Sequence, residues 1–218
     1  MDEVRKAATM LVVRPANDRG VEVLVGRRHP RSRFAPGFVV FPGGAVEPGD
    51  AALAGRLFGD PTEAARACAV RELYEETALL LTAHGLESRP GGEPLDAVAF
   101  DPPDAGAIAG SAHWLAPDFL EVRFDAVFFS IPAPRGLEPV PDGVEIERAW
   151  WARPADVLAS SAEGQAPLMW PTLVTLDELD GAATVEEAVA LRVEQVAPPP
   201  VGVQPRRGVW QRPEGTRP

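Results

Sequence analysis

The sequence is compatible with an α/β protein in which one long helix and several short strands share a core. Two apolar runs, residues 8–14 and 21–28, are separated by turn-forming residues, a pattern typical of a β-hairpin. Residues 61–82 are strongly helical and begin with an N-cap signal, Asp-Pro-Thr-Glu. Residues 123–131 predict the main strand of the second half. We therefore expect a hairpin, a long helix and at least one later strand around a common sheet.

The length of 218 residues allows one sizeable core, so we expect one domain over residues 1–197. Residues 198–218 are rich in proline and predict an extended tail that is either mobile or packed on a partner subunit. The second alternative keeps a homodimer open. The net charge of −11 argues against a nucleic acid polymer as partner, because such a partner needs a broad basic surface. A small anionic substrate is still compatible, since local arginines and metal ions can overcome the overall field.

The single cysteine, Cys68, excludes an internal disulfide and is typical of a reducing compartment. It lies in an alanine-rich helical turn, which favours a buried, inert thiol over a nucleophile. The first six residues are not followed by a long apolar run, so we predict no signal peptide. No stretch approaches the roughly 18 apolar residues of a membrane helix. We expect a cytoplasmic protein with no membrane contact.

The remaining chain predicts short elements separated by loops. Asp125 is a polar residue on a mostly apolar strand, and it either pairs with Arg123 or faces a ligand. Residues 85–118 predict mainly a loop that carries His113 and Trp114 near its end. The other predicted elements are strands at 38–41, 97–100 and 144–151, a helical excursion at 51–59, and helices at 154–160, 171–179 and 184 to about 196.

The long helix carries an acidic face. A helix turns about 100° per residue, so Glu72, Glu75 and Glu76 lie on one side of it. Like charges at this spacing repel, and a hard divalent cation such as Mg²⁺ would convert the repulsion into binding. Arg71 lies one turn before Glu75 and can hold its carboxylate. The alternative is a solvated acidic face without a metal.

Residues upstream of the helix favour a metal site over a solvated acidic face. Together with the helix, Gly44 and the segment that follows it resemble the Nudix hydrolase signature, G-x5-E-x7-R-E-U-x-E-E-x-G-U, where U is apolar. The helix half of the signature is intact. Arg71, Glu72, Glu75, Glu76 and two apolar residues fall on the remaining motif positions; the two are Leu73 and Leu79.

The match has three departures. Asp50 stands where the family has a glutamate, and Ala78 replaces the glycine that ends the helix. Twenty residues, 51–70, separate Asp50 from Arg71 where the family has seven. We interpret the 13 extra residues as a surface excursion that returns to the same helix start.

The resemblance implies a Nudix-type α/β/α sandwich around a small mixed β-sheet. It also implies hydrolysis of a diphosphate linkage with Mg²⁺ or Mn²⁺ held by the three helix glutamates. The implied catalytic residues are therefore Arg71 and the glutamates, with the general base unassigned among the acids. The resemblance gives further candidates. The backbone at Gly43 and Gly44 would lie close to the phosphates. Asp50 would be a weaker metal ligand or a supporting acid, and Glu145 or Glu147 would be an additional metal ligand or the base.

A second resemblance lies just before the glycines. Residues 24–44 are similar to the segment L-L-T-x-R-[SA]-x3-R-x3-G-x3-F-P-G-G that accompanies coenzyme A diphosphatases in the Nudix family. Arg28, Arg33 and Gly37 are in register, whereas Gly26 and His29 replace the expected threonine and serine or alanine. The insertion also resembles a subgroup with attributed coenzyme A hydrolysis. Guanidinium groups suit phosphate oxygens, so Arg28 and Arg33 are candidate substrate ligands; a solvated basic loop is the alternative.

These resemblances imply hydrolysis of coenzyme A or acyl-CoA to 3′,5′-ADP and the matching 4′-phosphopantetheine. Two alternatives stay open. The first is another Nudix diphosphatase that acts on ADP-ribose, NADH or nucleotides. The second is a Nudix-fold binding module without catalysis, which the retained helix glutamates disfavour.

Overall fold

The computed structural model describes residues 4–90, 92–116 and 123–195. The strands are β1 (Val4–Pro15), β2 (Val21–Arg28), β3 (Val39–Val40), β4 (Gly43–Ala45), β5 (Leu79–Thr82), β6 (Gly85–Ser88), β7 (Ala109–Leu115), β8 (Arg123–Pro132) and β9 (Ile146–Ala152). The α-helices are α1 (Pro48–Phe58), α2 (Ala64–Thr77), α3 (Pro154–Ala162), α4 (Trp170–Leu179) and α5 (Val185–Ala190).

One mixed sheet organises these elements around β1. Its strands follow the order β3-β2-β1-β8-β7, with β4 added to β1 and β9 added to β2. β1 runs parallel to β8, whereas the β1–β2, β1–β4, β2–β9 and β7–β8 pairs are antiparallel. The predicted hairpin is therefore confirmed, and the strand at 123–131 lies beside its first arm.

The two faces of β1 separate two cores, because successive side chains of a strand point to opposite sides. Met10 and Val12 pack with the apolar residues of α1 and α2. Leu11 and Val13 pack on the other side with residues of α3, α4 and α5. The α/β/α sandwich around a mixed sheet is thus confirmed.

The long helix is shorter than predicted. Residues 61–63 form a single 3₁₀ turn, and α2 ends at Thr77. Ala78 adopts a left-handed conformation with φ 56°, and its N–H donates to the carbonyl of Tyr74, which closes the helix. Residues 79–82 then form β5 and pair with β6. The prediction to residue 82 was wrong because Ala78 acts as the C-cap that a glycine normally supplies.

The segment that follows Asp50 is helical, as predicted, but it is not a surface excursion. At the start of α1 the Glu47 N–H donates to Asp50 Oδ2 at 2.7 Å, and the Asp50 N–H donates to the Glu47 carbonyl at 3.0 Å. Leu53, Ala54 and Leu57 are buried in the same core as α2. The segment between Asp50 and Arg71 therefore contributes most of an integral helix that packs against the acidic helix.

Three elements after β6 differ from the predictions. Residues 97–100 are not a strand, since a 3₁₀ turn occupies Leu95–Ala97. His113 and Trp114 lie on β7 rather than in a loop. α5 ends at Ala190, and the following residues run beside β7, where Val193 N–H donates to the carbonyl of Ser111 at 2.8 Å. Pairing with the sheet edge, which local sequence does not encode, accounts for both β7 and the shortened helix.

The predicted tail, residues 198–218, lies outside the described residues. In the part of the chain that the structure describes, no helix is long and apolar enough to cross a membrane.

Candidate functional site

The acidic helix α2 packs directly against the glycine strand β4. A Cβ on Gly44 would lie 2.4 Å from Oε1 of Glu72, and a Cβ on Gly43 would lie 2.5 Å from the carbonyl oxygen of Ala8. A side chain at position 43 would clash with backbone, and one at position 44 would displace the Glu72 carboxylate. The two glycines therefore allow β4 to lie between β1 and the acidic helix.

Glu76 is the most deeply buried of the three helix glutamates, with 2% of its surface exposed. Its Oε2 accepts a hydrogen bond from the Gly43 N–H at 3.0 Å, whereas its buried Oε1 has no hydrogen-bond partner. Burial raises the pKa of Glu76 well above its ordinary value, and the charge of Glu72 adds to the shift. The Gly43 N–H and the cation of Arg28 oppose it. A buried acid with a free oxygen needs a cation or a proton to compensate it.

Glu72 is also buried, with 9% exposed. Burial raises its pKa to about 7, against the opposing charge and hydrogen bond of Arg71. The carboxylates of Glu145 and Glu75 raise it further. Glu72 and Glu76 are therefore two neighbouring carboxylates whose ionisation is unfavourable unless a positive charge lies beside them.

Arg71 is the centre of the hydrogen bonds that organise the acids. Its Nε and Nη2 donate to the two carboxylate oxygens of Asp50, and its Nη1 donates to Glu72 Oε1 at 2.9 Å and Glu75 Oε2 at 3.0 Å. The predicted contact with Glu75 is thus present. Asp50 is only 1% exposed. In this arrangement Asp50 supports Arg71.

Cys68 lies under β4, where its thiol contacts the carbonyl oxygen of Ala45 at 3.4 Å. It is fully buried, and burial followed by the charge of Asp50 raises the pKa of the thiol above its ordinary value. The chemistry of this position is therefore that of a packed, protonated thiol, as the sequence suggested.

The two candidate substrate arginines before β3, Arg28 and Arg33, lie in different environments. Arg28 Nε donates to the carbonyl of Phe34 at 3.0 Å, and its Nη2 lies 3.5 Å from Glu145 Oε2. Its charge also reaches Glu76. Arg33 is exposed, and its side chain makes no hydrogen bond or ion pair with the described residues. Of the two predicted substrate arginines, Arg28 therefore lies beside the acids and Arg33 faces solvent.

The two candidate acids near β9, Glu145 and Glu147, also differ in their surroundings. Glu145 ion-pairs with Arg28 at 3.5 Å, and its carboxylate lies within electrostatic range of Glu72 and Glu76. Glu147 lies on β9, is exposed, and makes no contact of this kind within the described ranges. Only Glu145 is brought to the helix glutamates by the contacts of the fold.

Sequence reasoning missed Asp142, which accepts hydrogen bonds from the backbone N–H groups of Glu145 and Ile146, each at 2.9 Å. The signal available for it was the Asp142-Gly143 pair, a common turn signature. Asp125 has a different partner from the predicted one. Its carboxylate contacts the His113 ring across β7 and β8, and Arg123 donates instead to a backbone carbonyl. Tertiary pairing of these strands decides that contact.

The residues present suit a hard divalent cation. The unpartnered oxygen of Glu76 and the raised pKa values of Glu72 and Glu76 indicate that Arg71 and Arg28 do not fully compensate the charge of these two acids. Carboxylate oxygens are the donors that Mg²⁺ and Mn²⁺ prefer. Arg71 holds one oxygen each of Glu72 and Glu75, and within the described ranges no three side chains already converge as a set of metal ligands.

An α/β/α sandwich whose buried acidic helix lies under a Gly-Gly strand is the arrangement implied for Nudix hydrolases. A family model described as the NUDIX domain matches residues 4–170. The chain therefore belongs to the Nudix hydrolase family, whose general activity is the hydrolysis of diphosphate linkages.

Solved structures agree with this assignment. The NUDIX hydrolase from Alicyclobacillus acidocaldarius is 32% identical, covers 88% of this chain and 99% of its own, and superposes with a TM-score of 0.76. The NUDIX domain of Shewanella oneidensis NrtR, complexed with ADP ribose, is 14% identical over 82% of this chain and 87% of its own, with a TM-score of 0.50. The second likeness shows the fold alone. No curated protein sequence matches the chain significantly.

Proposed function

We propose that this protein is a Mg²⁺- or Mn²⁺-dependent diphosphatase whose substrate is coenzyme A or an acyl-CoA. The observation that carries the metal-dependent part is the buried Glu76, which has one unpartnered oxygen and lies beside Glu72. Glu72, Glu75 and Glu76 are the residues that would hold the cation. A bound cation supplies Lewis-acid charge to the diphosphate and to the attacking water.

The chain's own residues orient the other components. Arg71 fixes Glu72 and Glu75 on the helix, and Asp50 fixes Arg71 in turn. Gly43 and Gly44 keep the backbone of β4 close to the acids without a side chain in the way. One carboxylate of the site accepts the proton of the attacking water as general base.

Two features support coenzyme A as the substrate. The segment before the glycines resembles that of coenzyme A diphosphatases, with Arg28 and Arg33 in register. Coenzyme A carries a diphosphate and a ribose 3′-phosphate, which need cationic groups at two separate places. Arg28, beside the acids, suits the diphosphate, whereas the exposed Arg33 suits the more distant 3′-phosphate.

The test is a substrate panel with the full chain in Mg²⁺ or in Mn²⁺, with the products separated by chromatography. The panel contains coenzyme A, dephospho-coenzyme A, ADP-ribose, NADH and a nucleoside triphosphate. We expect coenzyme A to give 3′,5′-ADP and 4′-phosphopantetheine with the highest kcat/KM, and excess chelator to abolish turnover. If ADP-ribose or NADH is cleaved with a higher kcat/KM than coenzyme A, the coenzyme A assignment is wrong and that compound is the better substrate. No metal-dependent hydrolysis of any compound would support a binding module instead.

A further inference from the structure

The loop that precedes β9 is attached to the end of the acidic helix. Val140 N–H donates to the carbonyl of Thr77 at 2.8 Å, and Asp142 N–H donates to the carbonyl of Glu76 at 3.2 Å. Carbonyls in the last turn of a helix lack partners within the helix, so the loop satisfies two of them. The position of the loop is therefore tied to the position of Glu76.

Asp142 shapes the same loop from its other side. Its two carboxylate oxygens accept from the N–H groups of Glu145 and Ile146, and Gly143 makes the turn between them with φ 71°. This closed turn is the kind that an Asp-Gly pair supports. Glu145 therefore has a fixed backbone although its side chain is mostly exposed.

The far end of the turn is fixed against β2. The carbonyl of Glu145 accepts from the N–H of His29 at 2.8 Å, and the Ile146 side chain packs on Gly26, where a Cβ would lie 3.0 Å from Ile146 Cγ2. This packing gives a physical reason for glycine at position 26, where the resemblance expects threonine. Glu145 is thus placed between the end of α2 and the strand that carries Arg28.

We propose that Asp142 is a positioning residue that holds the Glu145 carboxylate at the acidic site, opposite Arg28. Glu145 ion-pairs with Arg28, and its charge reaches Glu72 and Glu76. Asp142 itself contacts only backbone groups in the hydrogen bonds described, so it acts through Glu145. This inference rests on the proposed diphosphatase function and adds a residue to its machinery.

The test is a double-mutant cycle on kcat with Asp142→Ala, Glu145→Gln and the combined variant. Loss of a group that orients a functional residue typically costs about 10- to 100-fold. We expect Asp142→Ala to lower kcat by about that factor with a much smaller change in KM. The combined variant should be no slower than Glu145→Gln alone, because Asp142 has nothing left to position. Asp142→Asn retains one acceptor oxygen and should recover part of kcat.

Asp104→Ala is the matched control, because Asp104 also accepts a backbone N–H, from Gly106 at 2.9 Å, but it belongs to no part of the site. It should leave kcat unchanged. If Asp142→Ala keeps wild-type kcat, or if its effect multiplies with that of Glu145→Gln, Asp142 is not a positioning residue.

A wild type without activity on any diphosphate would overturn the proposed function, and a second readout then tests the position of Glu145. Amide hydrogen exchange of the full chain should be faster in Asp142→Ala at Glu145 and Ile146, with β1 unchanged. Unchanged exchange at these two amides would overturn the inference, whatever the activity.

Discussion

Arg71 and Asp50 form a bidentate ion pair between α2 and the first turn of α1: Nε to Oδ1 is 2.8 Å and Nη2 to Oδ2 is 3.1 Å. The two residues are 21 positions apart, so the pair joins two distant parts of the sequence. The Asp50 carboxylate also caps the start of α1 through the Glu47 N–H. One buried acid thus fixes both α1 and the arginine that orients the glutamates.

Asp50→Asn should destabilise the protein strongly, because it removes the charge of the most deeply buried of the three carboxylates that pair with Arg71. Removing one partner of a buried ion pair typically costs about 3–5 kcal/mol. The free energy of unfolding, measured by urea denaturation, should fall by that order. The control is Glu138→Gln, which removes an exposed partner of Arg14 and should cost less than about 1 kcal/mol. Equal stability of the two variants would contradict the role given to Asp50.

Glu76→Gln should reduce turnover by at least about 10²-fold, since it removes the charge of the acid that has an unpartnered oxygen. The amide is close to the carboxylate in size, so the fold should persist. The measurement is kcat with saturating Mg²⁺ or Mn²⁺. Glu178→Gln, at an exposed acid of α4, is the control and should retain activity. Wild-type turnover by Glu76→Gln would show that the cation lies elsewhere.

The metal-free protein should lose stability as the pH rises from about 4.5 to about 7. The pKa of Glu72 is raised from its ordinary 4.5 to about 7, so the folded state binds this proton more tightly than the unfolded state. Proton binding to Glu72 contributes its full stabilisation below pH 4.5, the unfolded-state pKa, and this contribution is lost as the pH rises through about 7, the folded-state pKa. The free energy of unfolding should fall by on the order of 3 kcal/mol over this interval.

Urea denaturation in chelator across this pH range measures the effect. Glu72→Gln removes the titrating group and should make the free energy of unfolding depend less steeply on pH. Part of the dependence should remain, because the pKa of Glu76 is raised in the same direction. A wild-type profile that rises over the same pH interval would contradict the predicted sign.

The two arginines of the basic loop should have separable effects. Arg33→Ala should reduce the preference for coenzyme A over dephospho-coenzyme A, because a charge-assisted contact of about 1.5–3 kcal/mol corresponds to roughly 10- to 150-fold in kcat/KM. Arg28→Ala should impair both substrates, since Arg28 ion-pairs with Glu145 and its charge acts on Glu76. If Arg33→Ala lowers kcat/KM equally for coenzyme A and dephospho-coenzyme A, Arg33 does not contact the 3′-phosphate.

The sequence by itself determined the hairpin, the strand at 123–131 and the acidic helix, because each depends on local periodicity. The spacing of Glu72, Glu75 and Glu76 places them on one helix face whatever surrounds it. Turn residues between two apolar runs likewise specify a hairpin without distant contacts. The family motif then supplied the sandwich and the reaction class.

Tertiary structure alone decided the different environments of those glutamates. β4 pairs with β1 and covers Glu72 and Glu76, whereas Glu75 remains exposed on the same helix face. The loop containing Asp142 reaches the end of α2 from more than 60 residues away in sequence, so no local pattern could place it there. Helical periodicity fixes the direction of a side chain, but its burial, and therefore its pKa, depends on which distant strand packs over it.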